Sequence, residues 1–81
     1  MFQIPLTREQ RMKSYTIEYC VQWNYKPTAL RARDQLLADS NNKVELIEGS
    51  GGAFEIIRDG ELVFSKKSLN RFPADDEIDQ L

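Results

Sequence analysis

The chain has 81 residues, 41% of them hydrophobic and 30% charged, with a formal net charge of −2 and no histidine. That length suits one domain with one small core, and the composition is that of an ordered globular chain rather than a disordered one. The acidic balance argues against a phosphate-backbone binder, so nucleic acid is not an expected partner, and the absence of histidine argues against zinc chemistry and triad hydrolysis.

Residues 1–14 read as an N-terminal extension, either a loosely docked arm or a segment that packs on a partner. Phe2, Ile4 and Leu6 alternate around Pro5, and Thr7-Arg8-Glu9-Gln10 has capping-box spacing. No apolar run approaches the roughly 20 residues that span a bilayer, and the start lacks a basic-then-apolar signal pattern. No membrane association is expected, and the cytoplasm is the natural location. One cysteine agrees with a reducing compartment.

Residues 15–19 alternate β-branched and aromatic side chains at period two, which predicts a half-buried strand with one sheet face open to water. Pro27 suits the first position of a helix, and Ala29, Leu30, Ala32, Leu36 and Leu37 form its apolar stripe. The Ser40-Asn41-Asn42 cluster ends it. Residues 43–47 predict a second strand, and strand-helix-strand favours a parallel pair joined by a right-handed crossover. Residues 49–52 hold three of the four glycines and predict a flexible turn into the next strand. A phosphate-cradling loop does not fit, because no helix and no Lys-Ser or Lys-Thr follows.

Asp59-Gly60 is a strong two-residue hairpin signal between residues 54–58 and 61–65. It pairs Ile57 with Leu62 and Ile56 with Val63. One face then carries Phe54, Ile56 and Val63, and the other Ile57, Leu62 and Phe64. After Arg71-Phe72-Pro73, the residues Ala74, Ile78 and Leu81 recur at helical spacing, with Asp75, Asp76 and Glu77 in a first turn that complements the helix dipole. These acids diverge around a helix, so they predict a solvated start rather than a metal site.

Between the first strand and the first helix stands Tyr19-Cys20-Val21-Gln22-Trp23-Asn24-Tyr25-Lys26-Pro27. A Cys-x-x-Cys pair at such a junction uses the helix N-terminus to stabilise one thiolate, while the second sulfur resolves the mixed disulfide. Here the position three after Cys20 is Trp23, which offers an N–H donor and no sulfur. An internal disulfide is therefore impossible. Two readings of Cys20 stay open: a thiol activated at the helix start, or a small buried hydrophobe. Trp23 is either a cover over the helix start or part of a partner-binding surface.

The stretch resembles the selenoprotein W-like family, also called the Rdx group, which carries Cys-x-x-Cys or Cys-x-x-selenocysteine at this place. Gly51-Gly52-Ala53-Phe54-Glu55-Ile56, Asp59-Gly60, Leu62-Val63-Phe64-Ser65-Lys66-Lys67 and Arg71-Phe72-Pro73 follow that family's pattern in order, over residues 15–81. The resemblance implies a two-layer, thioredoxin-like β-α-β-β-β-α domain, an α/β fold with a four-stranded mixed sheet in the order 2-1-3-4. It also implies thiol redox work, with Cys20 as the catalytic candidate. Trp23, Tyr25 and Lys26 are the binding candidates beside it. No cofactor or metal is expected; glutathione is a candidate thiol partner, and a protein is the other. Lys26, Lys66, Lys67 and Arg71 are candidates for an anion-binding rim, against the plainer account of scattered surface charges. The expected function is redox chemistry through one cysteine, as a mixed disulfide or glutathione adduct without dithiol turnover. A non-catalytic protein-binding module on the same fold is the alternative. Tryptophan's codon lies one base from those of cysteine and from UGA, which makes position 23 a candidate single-base loss or recoded selenocysteine, to be tested by reading the source gene.

Overall fold

A computed structural model describes residues 12–81, so the predicted capping box at Thr7-Arg8-Glu9-Gln10 lies outside the described residues. Strand β1 (Lys13–Cys20) leads through a tight turn into helix α1 (Lys26–Leu37). Strands β2 (Asn42–Gly49), β3 (Phe54–Arg58) and β4 (Glu61–Ser65) follow. Two short helices, α2 (Lys66–Leu69) and α3 (Asp75–Asp79), close the chain. The sheet order is β2-β1-β3-β4, with β1 parallel to β2 and the other neighbours antiparallel. This is the mixed four-stranded architecture expected from the sequence, with α2 as an additional element.

Period-two alternation places Tyr15, Ile17 and Tyr19 on the helix side of β1, where they are buried together with Phe54, Ile56 and Phe64. Ala29, Ala32 and Leu36 of α1 and Ile78 of α3 complete that core. The alanines let the helix approach the sheet closely. Pro27 stands at the second helical position, and the Tyr25 cap has no side-chain hydrogen bond.

Three local differences from the sequence expectations have physical causes. First, β1 begins at Lys13, so it takes in Ser14 from the predicted extension. The hairpin turn supplies the reason: the Ser14 N–H donates to Asp59 Oδ1 at 3.0 Å, and the Asp59 N–H donates to the Ser14 carbonyl at 2.8 Å. Second, Ile57 pairs with Leu62 as expected, but Ile56 pairs with Phe64, because a bulge inserts Val63. The larger Phe64 side chain is thereby turned into the core in place of Val63. Third, α2 exists because Ser65 caps it, its Oγ accepting from the Ser68 N–H, while Asn70 ends it in the left-handed region at φ 62°.

Helix α3 is held by a carboxylate. Glu77 accepts from the Ala74 N–H at 3.0 Å and from both terminal nitrogens of Arg71. The Arg71 hydrogen bonds, aided by Ala74, hold the Glu77 carboxyl down at about 2. A carboxyl depressed in the fold stabilises it above the ordinary value of 4.5, and that contribution is lost as pH falls from there through about 2. Following the Glu77 side-chain carbon and the Ala74 amide by NMR should show both moving together with a midpoint well below 4.5. A midpoint at the ordinary value would mean that the pair is not formed in solution.

Candidate functional site

Cys20 ends β1 with Gly49 as its direct partner in β2, and its N–H donates to the Ala53 carbonyl at 2.8 Å on the other side. Both neighbours are small, so the backbone closes around the sulfur, and Cys20 has 0% exposure. Its carbonyl accepts from the Tyr25 N–H at 3.1 Å, and the Asn24 N–H donates to the Val21 carbonyl at 3.0 Å. Asn24 takes the left-handed region at φ 59°, which asparagine tolerates better than most residues. The result is a folded four-residue turn, 21–24, that is exposed throughout while the cysteine before it is buried. The free thiol is thus placed where the packing reading of the sequence put it.

Trp23 projects from that turn, 60% exposed. One side of its ring lies on Gly52: a Cβ built there would stand 2.7 Å from Cζ3 and 3.0 Å from Cε3. Gly52 is itself buried, at φ +76°, so this glycine loop is a fitted shelf rather than the flexible turn that its composition suggested. Gly51 is also at positive φ, +66°, but with open space around it. Gly52→Ala should therefore destabilise the protein more than Gly51→Ala, about 2–3 against about 1–2 kcal/mol in urea unfolding. In a Trp23→Ala background the two costs should converge. If they stay apart there, the indole is not what fills the space.

An aromatic ladder runs inward from Trp23. Its ring meets Tyr25 edge-on at 6.0 Å, Tyr25 meets Phe72 at 4.8 Å, and Phe72 meets the fully buried Phe54 at 5.2 Å. Such edge-to-face pairs contribute on the order of 1 kcal/mol each beyond their burial. Lys66 Nζ lies 5.4 Å from the Tyr25 ring centre and 5.3 Å from that of Phe72. Lys26 opens α1 directly after Tyr25 and is exposed. Arg71, by contrast, is tied to Glu77 and packs over Phe64 at 5.8 Å, so the predicted rim of four cations loses it.

The structure thus joins Trp23, Tyr25 and Lys66 through ring contacts, and leaves Cys20 beneath the turn. Phe72, Gly52 and Glu55 are the residues that sequence reasoning did not single out. Glu55 accepts from Ser65 Oγ at 2.6 Å and from the Lys66 N–H at 2.9 Å, fixing the start of α2 beside the ladder. All three stand in the motifs that carry the family resemblance, and that placement, with the aromatic character of Phe72, was the available signal.

A cleft of about 330 Å³ lies toward the other end of β1, between Lys13, Tyr15, Leu36, Asn42 and Ile78. Burial pushes the Tyr15 phenol up, with Arg58 opposing. Among the described residues, no three His, Cys, Asp or Glu side chains converge in a way that could hold a metal ion. No helix among them is long and apolar enough to cross a membrane.

A parallel β1-α1-β2 unit followed by an antiparallel hairpin defines a thioredoxin-like α/β protein, here with a single sulfur at its strand-to-helix turn. The Rdx family profile matches residues 14–81. No curated protein matches the sequence. Among solved structures, the chain is similar to a protein from Bordetella parapertussis, at 25% identity and TM-score 0.80, covering 84% of this chain and 90% of that one. It is also similar to a selenoprotein W-related protein from Vibrio cholerae, at 26% identity and TM-score 0.79, covering 86% and 91%. The chain belongs to the Rdx, or selenoprotein W-like, family.

Proposed function

We propose that this family member works as a protein-binding module, with Trp23 standing where the second sulfur of a Cys-x-x-Cys pair would otherwise be. The observation that carries the reading is the order of exposure along the turn: Cys20 at 0% and position 23 at 60%. Thiol–disulfide exchange requires a thiolate with a clear line of approach to a disulfide sulfur. Of the two positions that carry sulfur in a Cys-x-x-Cys pair, 20 and 23, only position 23 offers that approach, and an indole cannot attack. An exposed tryptophan backed by further rings is instead the kind of anchor that dominates protein interfaces. A free, unpaired cysteine also fits a reducing compartment such as the cytoplasm.

A photo-crosslinking residue at Val21 should capture a partner in cells in a way that is lost with Trp23→Ala and kept with Cys20→Ser. Capture lost with Cys20→Ser instead would overturn the reading.

A second reading keeps Cys20 as a one-thiol reagent, favoured by its position directly beneath an exposed turn whose opening would uncover it. Its thiolate would attack one sulfur of oxidised glutathione, forming a mixed disulfide and expelling one glutathione thiolate. Alkylation separates the two. The binding-module reading expects native labelling to be slower than in denaturant by a factor of roughly 100 or more, as for a site that reacts only through rare opening. Rapid native glutathionylation supports the one-thiol reading.

A further inference from the structure

We propose that the Trp23-Tyr25-Phe72 ladder and Lys66 together form a docking surface for an acidic segment of a partner protein, its carboxylates on Lys66 and an apolar side chain on Trp23. The proposal rests on the binding-module reading and names the chemistry of the partner.

Charge is the first argument. The chain has 13 acidic and 11 basic residues, so a cationic patch stands against its overall balance. Arg31, Arg33, Arg58 and Arg71 each have a carboxylate within 4.0 Å, so the described arginines are already engaged. Lys66 forms no ion pair among the described residues, and neither do its neighbour Lys67 or Lys26 beside Tyr25. Lys66 lies over two aromatic rings instead. A ring face attracts an ammonium without using its hydrogen-bond donors, which remain available to an incoming carboxylate.

Placement is the second argument. A surface lysine usually loses much side-chain freedom when it binds, which weakens the contact. Here the Glu55 carboxylate takes the Lys66 N–H on one oxygen and the Ser65 hydroxyl on the other, and Ser65 is buried. The rings then direct the stem. Much of the ordering cost is met before a partner arrives.

Apolar surface is the third. Val21 at 49%, in the turn of Trp23, and Leu69 at 50%, in the helix of Lys66, are exposed as well, so apolar surface accompanies both ends of the ladder. A nucleic acid would need a longer run of cations than three lysines, and the net charge would oppose it. A protein segment that mixes glutamate or aspartate with leucine-like residues matches both features.

Trp23 is the only tryptophan, so its emission reports on this surface alone. The probe is a short synthetic peptide of alternating glutamate and leucine, with the glutamine-for-glutamate peptide as control. The glutamate peptide should change the emission saturably. Affinity should fall about tenfold for the glutamine peptide and for Lys66→Gln, and similarly when salt rises from about 0.05 to about 0.3 M. Glu55→Gln should weaken binding through Lys66 while circular dichroism stays unchanged. Equal binding of both peptides overturns the charge preference and leaves the binding-module reading standing. No response to the glutamate peptide overturns the docking surface, while cellular crosslinking judges the module reading separately. Reduced glutathione competing at equal affinity would assign the site to a small thiol peptide and also overturn the proposal.

Discussion

Trp23→Cys is expected to give a protein that closes an internal disulfide, where the natural chain has none to close. The turn at 21–24 is already folded by two backbone hydrogen bonds, Asn24 to Val21 and Tyr25 to Cys20. A thiol at position 23 would therefore sit on the exposed side of a preformed turn that follows directly on the buried sulfur of Cys20. Oxidant would meet the exposed thiol first, and the resulting mixed disulfide would be attacked by Cys20, releasing the small thiol and closing the ring. The measurement is intact mass after oxidised glutathione: about 2 Da lost for Trp23→Cys, as expected when two thiols become one disulfide. Trp23→Cys combined with Cys20→Ser should instead gain one glutathione and hold it. If the single variant also stops at the adduct, the turn keeps the sulfurs beyond bonding reach, and position 23 is not a redox position in this fold.

Phe54→Ala is expected to unfold much of the protein at ambient temperature. Phe54 is fully buried, pairs with Tyr19 across the sheet, and supports Phe72 from below. Truncating a phenylalanine in such a site costs about 3–5 kcal/mol through lost burial and the cavity left behind. A chain of this size has only about 4–12 kcal/mol in total. Urea titration should show the midpoint collapse, and Tyr25, two rings further out, should lose its ordered contacts before the helix does. Leu62→Ala, at an exposed site on the hairpin, serves as the control and should stay within about 0.5 kcal/mol of the parent. A small effect at Phe54 would mean that the ladder is not anchored in the core.

Much of the fold was legible because its signals are local. Alternation in β1, Asp59-Gly60 at the hairpin and the alanine-leucine stripe of α1 each act within a few residues, and the sheet order followed from family resemblance. The bulge at Val63 was not legible: Val63 and Phe64 are both apolar, so the pattern reads equally well with either one inward. The choice falls to the larger gain from burying Phe64. The start of β1 at Lys13 depends on Asp59, 45 residues away from Ser14, which no local pattern reveals. At the site, the residue types were legible and their exposure was not. Whether a cysteine before a helix is reactive or buried stays open until Gly49 and Ala53 are seen to flank it, the first within the segment 49–52 read as a flexible turn and the second directly after it.

The exposed turn also bears on how such a protein changes over generations. Position 23 contributes its side chain to the surface, and the backbone hydrogen bonds that shape the turn do not depend on what that side chain is. Exchanging a sulfur for an indole there leaves the buried core untouched. What such an exchange puts at stake in stability is the contact of the ring with Gly52 and Tyr25, on the order of 1 kcal/mol, so the chemistry presented at this position can change in one substitution at small cost to the fold.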